Sequence, residues 1–285
     1  NVLFYVKISY SIMKFVTGVK KRTSSNFIKE KKTMVITQGR NATLLIQYAG
    51  KKILIDPIFA DKGTYPPFPS LLRSTEKNPL HDSPISISEM TKADAVIITH
   101  LHSDHFDEEA KQQLPKSVPI FVQNEADKGV LLSAAFQNVQ VLGNDTMFET
   151  IRLIRTNGRH GYEDEIVKAL GDVCGVIMQN EQEETVYLAG DTVWYDEVAK
   201  IITTYQPPVI IVNAGANSAM DKQLIMGKED VLKVHAAAPY SRIIATHMEG
   251  INHWVLSRSE LRAFAKQYNF DEQLFVPSDG ETLEF

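Results

Sequence analysis

Thr99-His100-Leu101-His102-Ser103-Asp104-His105 packs three imidazoles and a carboxylate into seven residues, directly behind the apolar run Ala95-Val96-Ile97-Ile98. Imidazole nitrogen and carboxylate oxygen are the donors that suit zinc and its first-row neighbours, and a catalytic site adds a position left open for water. An extended or turning segment sends residues two apart to one side, so His100 and His102 can grip one ion while Asp104 and His105 point to a second. The chain has eight histidines in all, and three of them fall between positions 100 and 105. Chance placement in a polar loop explains that poorly, and we read the stretch as a divalent metal site.

The pattern His-x-His-x-Asp-His after a strand resembles the signature of the metallo-β-lactamase fold superfamily, and the resemblance can be followed along most of the chain. Lys52-Ile53-Leu54-Ile55-Asp56-Pro57 is similar to the early strand whose closing aspartate orients the metal loop without binding metal. His160 in Gly158-Arg159-His160-Gly161 matches the third histidine of the first site, and Asp191 in Leu188-Ala189-Gly190-Asp191-Thr192 matches the carboxylate that bridges both ions. His247, closing Arg242-Ile243-Ile244-Ala245-Thr246, matches the last histidine of the second site. The resemblance thus implies one ion held by His100, His102 and His160, another by Asp104, His105 and His247, and Asp191 between them. Asp56, Thr99 and Thr192 are expected to support these ligands from behind.

For the fold, the resemblance implies an α/β protein, an αββα sandwich of two mixed sheets flanked by helices. For function it implies a hydrolase with two divalent ions, zinc first and manganese admitted, whose bridging hydroxide attacks an ester, lactone or phosphoester. Asp104 or a metal-bound water would pass the proton, and His253, six residues beyond His247, would bond a substrate oxygen, act as acid or compete with His247 as the ligand. A narrower likeness, to the branch containing L-ascorbate-6-phosphate lactonase, rests on Arg40-Asn41-Ala42-Thr43, Asn213-Ala214-Gly215 and His247-Met248-Glu249-Gly250-Ile251-Asn252-His253. It suggests a small anionic substrate met by Arg40, Arg159, Arg258 and Asn213. Relatives of that branch often assemble, so a homo-oligomer stays open. Two rivals remain: a mononuclear iron dioxygenase of the same fold, and a scaffold without chemistry, although a scaffold is expected to have lost a ligand.

Composition fits this reading. A chain of 285 residues with 44% hydrophobic content can bury a large core, and a net charge of −5 gives no general attraction to nucleic acid. The single cysteine, Cys174, excludes an internal disulfide and suits a small core residue in a reducing cytoplasm. The apolar N-terminal stretch is broken by Lys7 and Lys14, which argues against a spanning helix and a signal peptide. The superfamily-like pattern starts near Met34, so residues 1–33 read as an extension and 34–285 as one hydrolase domain.

Periodicity predicts strands at Met34–Thr37, Thr43–Tyr48 and Lys52–Ile55, the latter two joined by a hairpin at Ala49-Gly50. Helices are expected over Asp107–Gln113, Asn124–Ala135, Trp194–Thr203, Glu229–Ala237 and Ser259–Gln267, with strands at 120–122, 151–155, 173–179, 185–189 and 209–212 between them. His235 falls on a helix away from other ligands and reads as structural. Residues 60–90, rich in proline around Tyr65-Pro66-Pro67-Phe68-Pro69, read as a long ordered loop that could bring Tyr65, Phe68 or His81 to a substrate.

Overall fold

The computed structural model describes residues 34–285; the expectation of an N-terminal extension falls on residues outside these. One sheet contains β1 (Val35–Gln38), β2 (Leu44–Tyr48), β3 (Lys51–Ile55), β4 (Ala95–Ile98), β5 (Ile120–Val122) and β6 (Val139–Val141) in sequence order. The other contains β7 (Thr146–Phe148), β8 (Ile151–Asn157), β9 (Cys174–Asn180), β10 (Glu183–Leu188) and β11 (Val209–Asn213). Beyond β11, a two-residue ribbon of β12 (Ser218–Ala219) and β13 (Lys222–Gln223) precedes β14 (Arg242–Thr246) and β15 (Leu274–Phe275), which complete the second sheet. The last strand, β16 (Thr282–Glu284), returns to pair antiparallel with β1, so each large sheet has seven strands. Each is mixed: β1, β2 and β3 are antiparallel neighbours whereas β3, β4, β5 and β6 run parallel.

Side-chain alternation divides the core into layers. Ile53, Ile55 and Ile97 face the second sheet and pack with Val176, Leu188 and Ile211, while Leu54, Val96 and Ile98 face outward. There they meet Ala110 of α2 (Glu108–Gln113) and Leu131 of α3 (Glu125–Ser133), which follow the four-residue α1 (Ile87–Met90). On the opposite face, Ile210 and Val212 leave the sheet for Val198 and Ile202 of α5 (Asp196–Tyr205), which follows α4 (Asp164–Leu170). Val231 of α6 (Lys228–Ala237) and Leu261 of α7 (Arg258–Gln267) complete that outer layer. Strands with both faces covered read as unbroken apolar runs, which is why Val209-Ile210-Ile211-Val212 shows no polar alternation.

The predicted αββα sandwich is therefore what the chain forms. Cys174 is fully buried between the sheets, with Sγ donating to Thr99 O at 3.3 Å, and burial pushes its thiol well above the usual range. His235 stacks on Phe270 at 5.1 Å, in keeping with a packing role. Among the described residues no helix is long and apolar enough to cross a membrane.

Candidate metal centre

Strand β3 runs parallel to β4, and β11 runs parallel to β14, so within each pair the C-terminal ends emerge at one sheet edge, where loops carry function. Asp56 follows β3, Thr99 to His105 follow β4, His160 follows β8, Asp191 follows β10 and His247 follows β14. The fold brings these distant positions together: the donor atoms of His100, His102 and His160 lie within 4.8 Å of one another, as do those of Asp104, His105 and His247. Asp191 joins the two groups, with Oδ2 at 3.2 Å from His105 Nε2 and 3.5 Å from His160 Nε2.

The ring protons show what the cluster is built for. His105 Nδ1 sits 2.8 Å from Asp56 Oδ2, His160 Nδ1 3.0 Å from Leu224 O and His102 Nε2 3.0 Å from Leu170 O. Each acceptor oxygen carries no proton, so in every case the ring nitrogen must donate. Thr99 Oγ1 donates to Asp56 Oδ2 at 2.8 Å and takes the Nδ1–H of His100 at 3.1 Å. In its neutral form each ring turns a lone pair inward, and neutral His100 Nε2 meets neutral His102 Nδ1 at 3.0 Å with no proton left for a bond between them. Facing lone pairs at that distance repel, and a shared cation removes the conflict.

Charge says the same. Burial opposes ionisation of Asp104 and Asp191, yet the His247 hydrogen bond to Asp104 and the His105 and His247 charges hold both well below the usual carboxylate range. Burial, then the charge of His105, pushes His100 well below ordinary histidine, and burial lowers His160. Burial works against the charge on His105 too, but Asp191 and Asp56 raise it well above its ordinary value. Among the described residues no lysine or arginine pairs with Asp56, Asp104 or Asp191; their ion-pair partners are histidines. The donor set therefore fits divalent ions, with His100, His102 and His160 for one, Asp104, His105 and His247 for the other and Asp191 shared.

The supports are oxygen-rich. Asp56 accepts from Thr99 N at 2.7 Å, from Thr99 Oγ1 and from His105, so one carboxylate sets the start and the end of the metal loop. Thr192 Oγ1 accepts from Arg159 N at 3.0 Å, tying the His160 loop to the Asp191 loop. Asn213 Nδ2 donates to Asp191 Oδ1 at 2.6 Å, which places this expected substrate contact behind the Asp191 carboxylate.

The three other expected substrate contacts have guanidinium groups that are already engaged. Arg40, 1% exposed, donates to the carbonyls of His81, Ile58 and Ala60, and Arg258 pairs with Glu249 at 2.7 Å and with Asp279. Arg159 is spent on Tyr162 O and Asp164. Asn41, which carries no titratable signal in sequence, donates to Asp104 O at 2.9 Å and lies 3.3 Å from His247 Nε2. His253 is nearly buried, edge-on to Phe68 at 5.1 Å; burial, partly offset by Asp104, pushes its pKa down to about 4. A cavity of about 170 Å³ opens beside Ser103 and Asp104, walled by Ile58, Tyr65, Pro66, Pro67 and Phe68. His81 lies elsewhere, in a separate surface depression with Arg73 and Trp254.

Residues 51–248 match the beta-lactamase superfamily domain. The chain belongs to this superfamily. Among superfamily relatives, the UPF0173 protein YddR of Bacillus subtilis (strain 168) is 51% identical over 254 residues, covering 88% of this chain and all of YddR (100%). The crystal structure of an isothiocyanate hydrolase from Delia radicum gut bacteria is similar with TM-score 0.84 at 39% identity, covering 88% of this chain and 99% of that one. A possible metal-dependent hydrolase from Veillonella parvula DSM 2008 matches with TM-score 0.85 at 37% identity, again over 88% and 99%.

Proposed function

We propose that the chain is a metal-dependent hydrolase holding two divalent ions, zinc in the first instance, and that it attacks a carbon electrophile of a small substrate. The observation that carries the proposal is the convergence of inward lone pairs and ionised carboxylates, with every outward ring proton of His100, His102, His105 and His160 already bonded. When bound, the ions supply Lewis acidity and bring the pKa of water from about 15.7 towards 7. Asp104 is held ionised and stands beside the cavity, where it can take the proton of the attacking water. Ile58, Pro66, Pro67 and Phe68 keep bulk water from the reacting carbon and seat an apolar substituent.

The apolar wall and the engaged arginines favour a neutral substrate over a phosphate, since the guanidinium groups of Arg40, Arg159 and Arg258 already donate to oxygens of this chain. The similar isothiocyanate hydrolase supports the same class. Water added across the N=C=S carbon gives a thiocarbamic acid, which breaks down to an amine and carbonyl sulfide. Esters and lactones present the same kind of carbon.

Elemental mass spectrometry on protein purified without added metal tests the centre, with close to two equivalents expected and His102→Ala expected to lose metal and turnover together. About one equivalent of iron would move the assignment to a dioxygenase. Isothiocyanates, lactones and phosphate esters assayed side by side test the substrate class, and turnover confined to phosphate esters would overturn it.

A further inference from the structure

The loop from Asn213 to Gly227 touches the centre at several points that the ligand set leaves unexplained. Asn213 holds Asp191, and Leu224 holds His160 through its carbonyl while its N–H donates to Asn217 O at 2.8 Å. Asn217 is 1% exposed, and its Nδ2 lies 3.2 Å from Nε2 of His253. As the amide stands, with its nitrogen toward the ring and its own Oδ1 buried without a partner, His253 Nε2 accepts and the ring's single proton sits on Nδ1. That Nδ1 is buried and has no hydrogen-bond partner among the described residues. Leaving a buried donor unmade costs about 1–3 kcal/mol, a cost that an arriving acceptor removes. The ring meets Phe68 of the cavity wall and feels the charges of Asp104, His247 and Asp191, so its free donor belongs to the same site.

Backbone around this pair is shaped to permit it. A Cβ on Gly215 would stand 2.3 Å from Asn217 Oδ1 and 2.4 Å from His247 O, so only glycine lets the Asn217 amide and the His247 loop close on this point. Ser218 N donates to His253 O at 3.0 Å, fixing the two residues' backbones to one another.

We infer that Asn217 is a positioning residue that locks His253 in its Nδ1–H form, and that this N–H is the site's hydrogen-bond donor to the substrate heteroatom that gathers charge as the carbon is attacked. The inference rests on the carbon-electrophile reading above. No proton leaves His253; for an isothiocyanate the acceptor is the nitrogen or sulfur beside the attacked carbon. A donor placed for a developing charge is typically worth about 10²–10³ in turnover.

The test is imidazole 15N NMR on the zinc-loaded protein at pH 8.5, with the His253 resonances identified by their loss in His253→Gln, alongside kinetics of Asn217→Asp. A carboxylate at 217 accepts from Nε2–H and reverses the tautomer without changing the side chain's shape. We expect an Nδ1–H signal in the wild type and an Nε2–H signal in N217D, with zinc content and KM unchanged and kcat lowered about 100-fold. An Nε2–H signal in the wild type would overturn the inference, as would full kcat in an N217D protein whose tautomer has reversed. Because the tautomer is read without turnover, a wild type that hydrolyses no carbon electrophile would sink the hydrolase reading separately.

Discussion

Asp56 shows how much one residue can organise here. Its two oxygens fix Thr99 N, Thr99 Oγ1 and His105 Nδ1, so Asp56→Asn keeps the shape but replaces an acceptor with a donor facing other donors. We expect metal affinity to fall roughly 10- to 100-fold, measured by competition with a chromophoric chelator, and unchanged affinity would refute that role. Gly190 is a second such residue: with φ at +68° and Cys174 O 2.3 Å from where a Cβ would stand, Gly190→Ala should lose at least about 2 kcal/mol in urea unfolding. The histidine loop was legible in sequence because its chemistry is packed into consecutive positions. His160, Asp191 and His247 stand alone in sequence and were reached only through their places after strands and the resemblance to the superfamily. Asn41 and Asn252 were read only as parts of motifs, and Asn217 not at all, because an amide has no spacing rule and its partners are far along the chain. Charge also misleads about Arg40 and Arg258: a positive side chain in sequence does not reveal that oxygens of its own chain already surround it.

At the scale of elements, the long runs were legible because burial on both faces writes itself as continuous apolar sequence. What the sequence reading missed is short or lacks a buried face: β6, β7 and β16 have three residues each, and α4 buries none of its side chains, so no period marks it. The segment expected to be a loop from Ala60 to Met90 does remain mostly irregular, apart from α1 at its end. One side chain outside it, Asn252, ties several of its points together. Asn252 Oδ1 accepts from Phe68 N at 2.9 Å and from Asn78 Nδ2 at 2.8 Å, its Nδ2 donates to Phe68 O at 3.1 Å, and Arg73 Nε donates to its backbone oxygen. With net hydrogen bonds worth about 1 kcal/mol each, Asn252→Ala should loosen the cavity wall. Trypsin should then cleave after Arg73 several-fold faster and KM should rise, while metal content stays at the wild-type level. Equal cleavage rates would show that the proline-rich segment holds itself.

On the scale of the whole molecule, the ligands divide between the sheets. His100, His102, Asp104 and His105 follow a strand of the first sheet, whereas His160, Asp191 and His247 follow strands of the second. In the proposed centre each ion would therefore take donors from both sheets, and an unfolded chain cannot present that arrangement. A ligand that binds only the native state stabilises it by about 4 kcal/mol at a thousandfold excess over its dissociation constant. For a domain of this size about 2–4 °C accompanies each kcal/mol, so stripping the protein with chelator should lower Tm by roughly 10 °C. Restoring zinc should bring it back. The hydrophobic layer between the sheets is made without the ions, from Ile53, Ile97, Val176 and Ile211 among others, so the stripped protein should still unfold in one cooperative step. A Tm indifferent to chelator in protein shown to have lost its metal would mean that the two sheets hold the ligands in place unaided, leaving the ions a chemical part and no structural one.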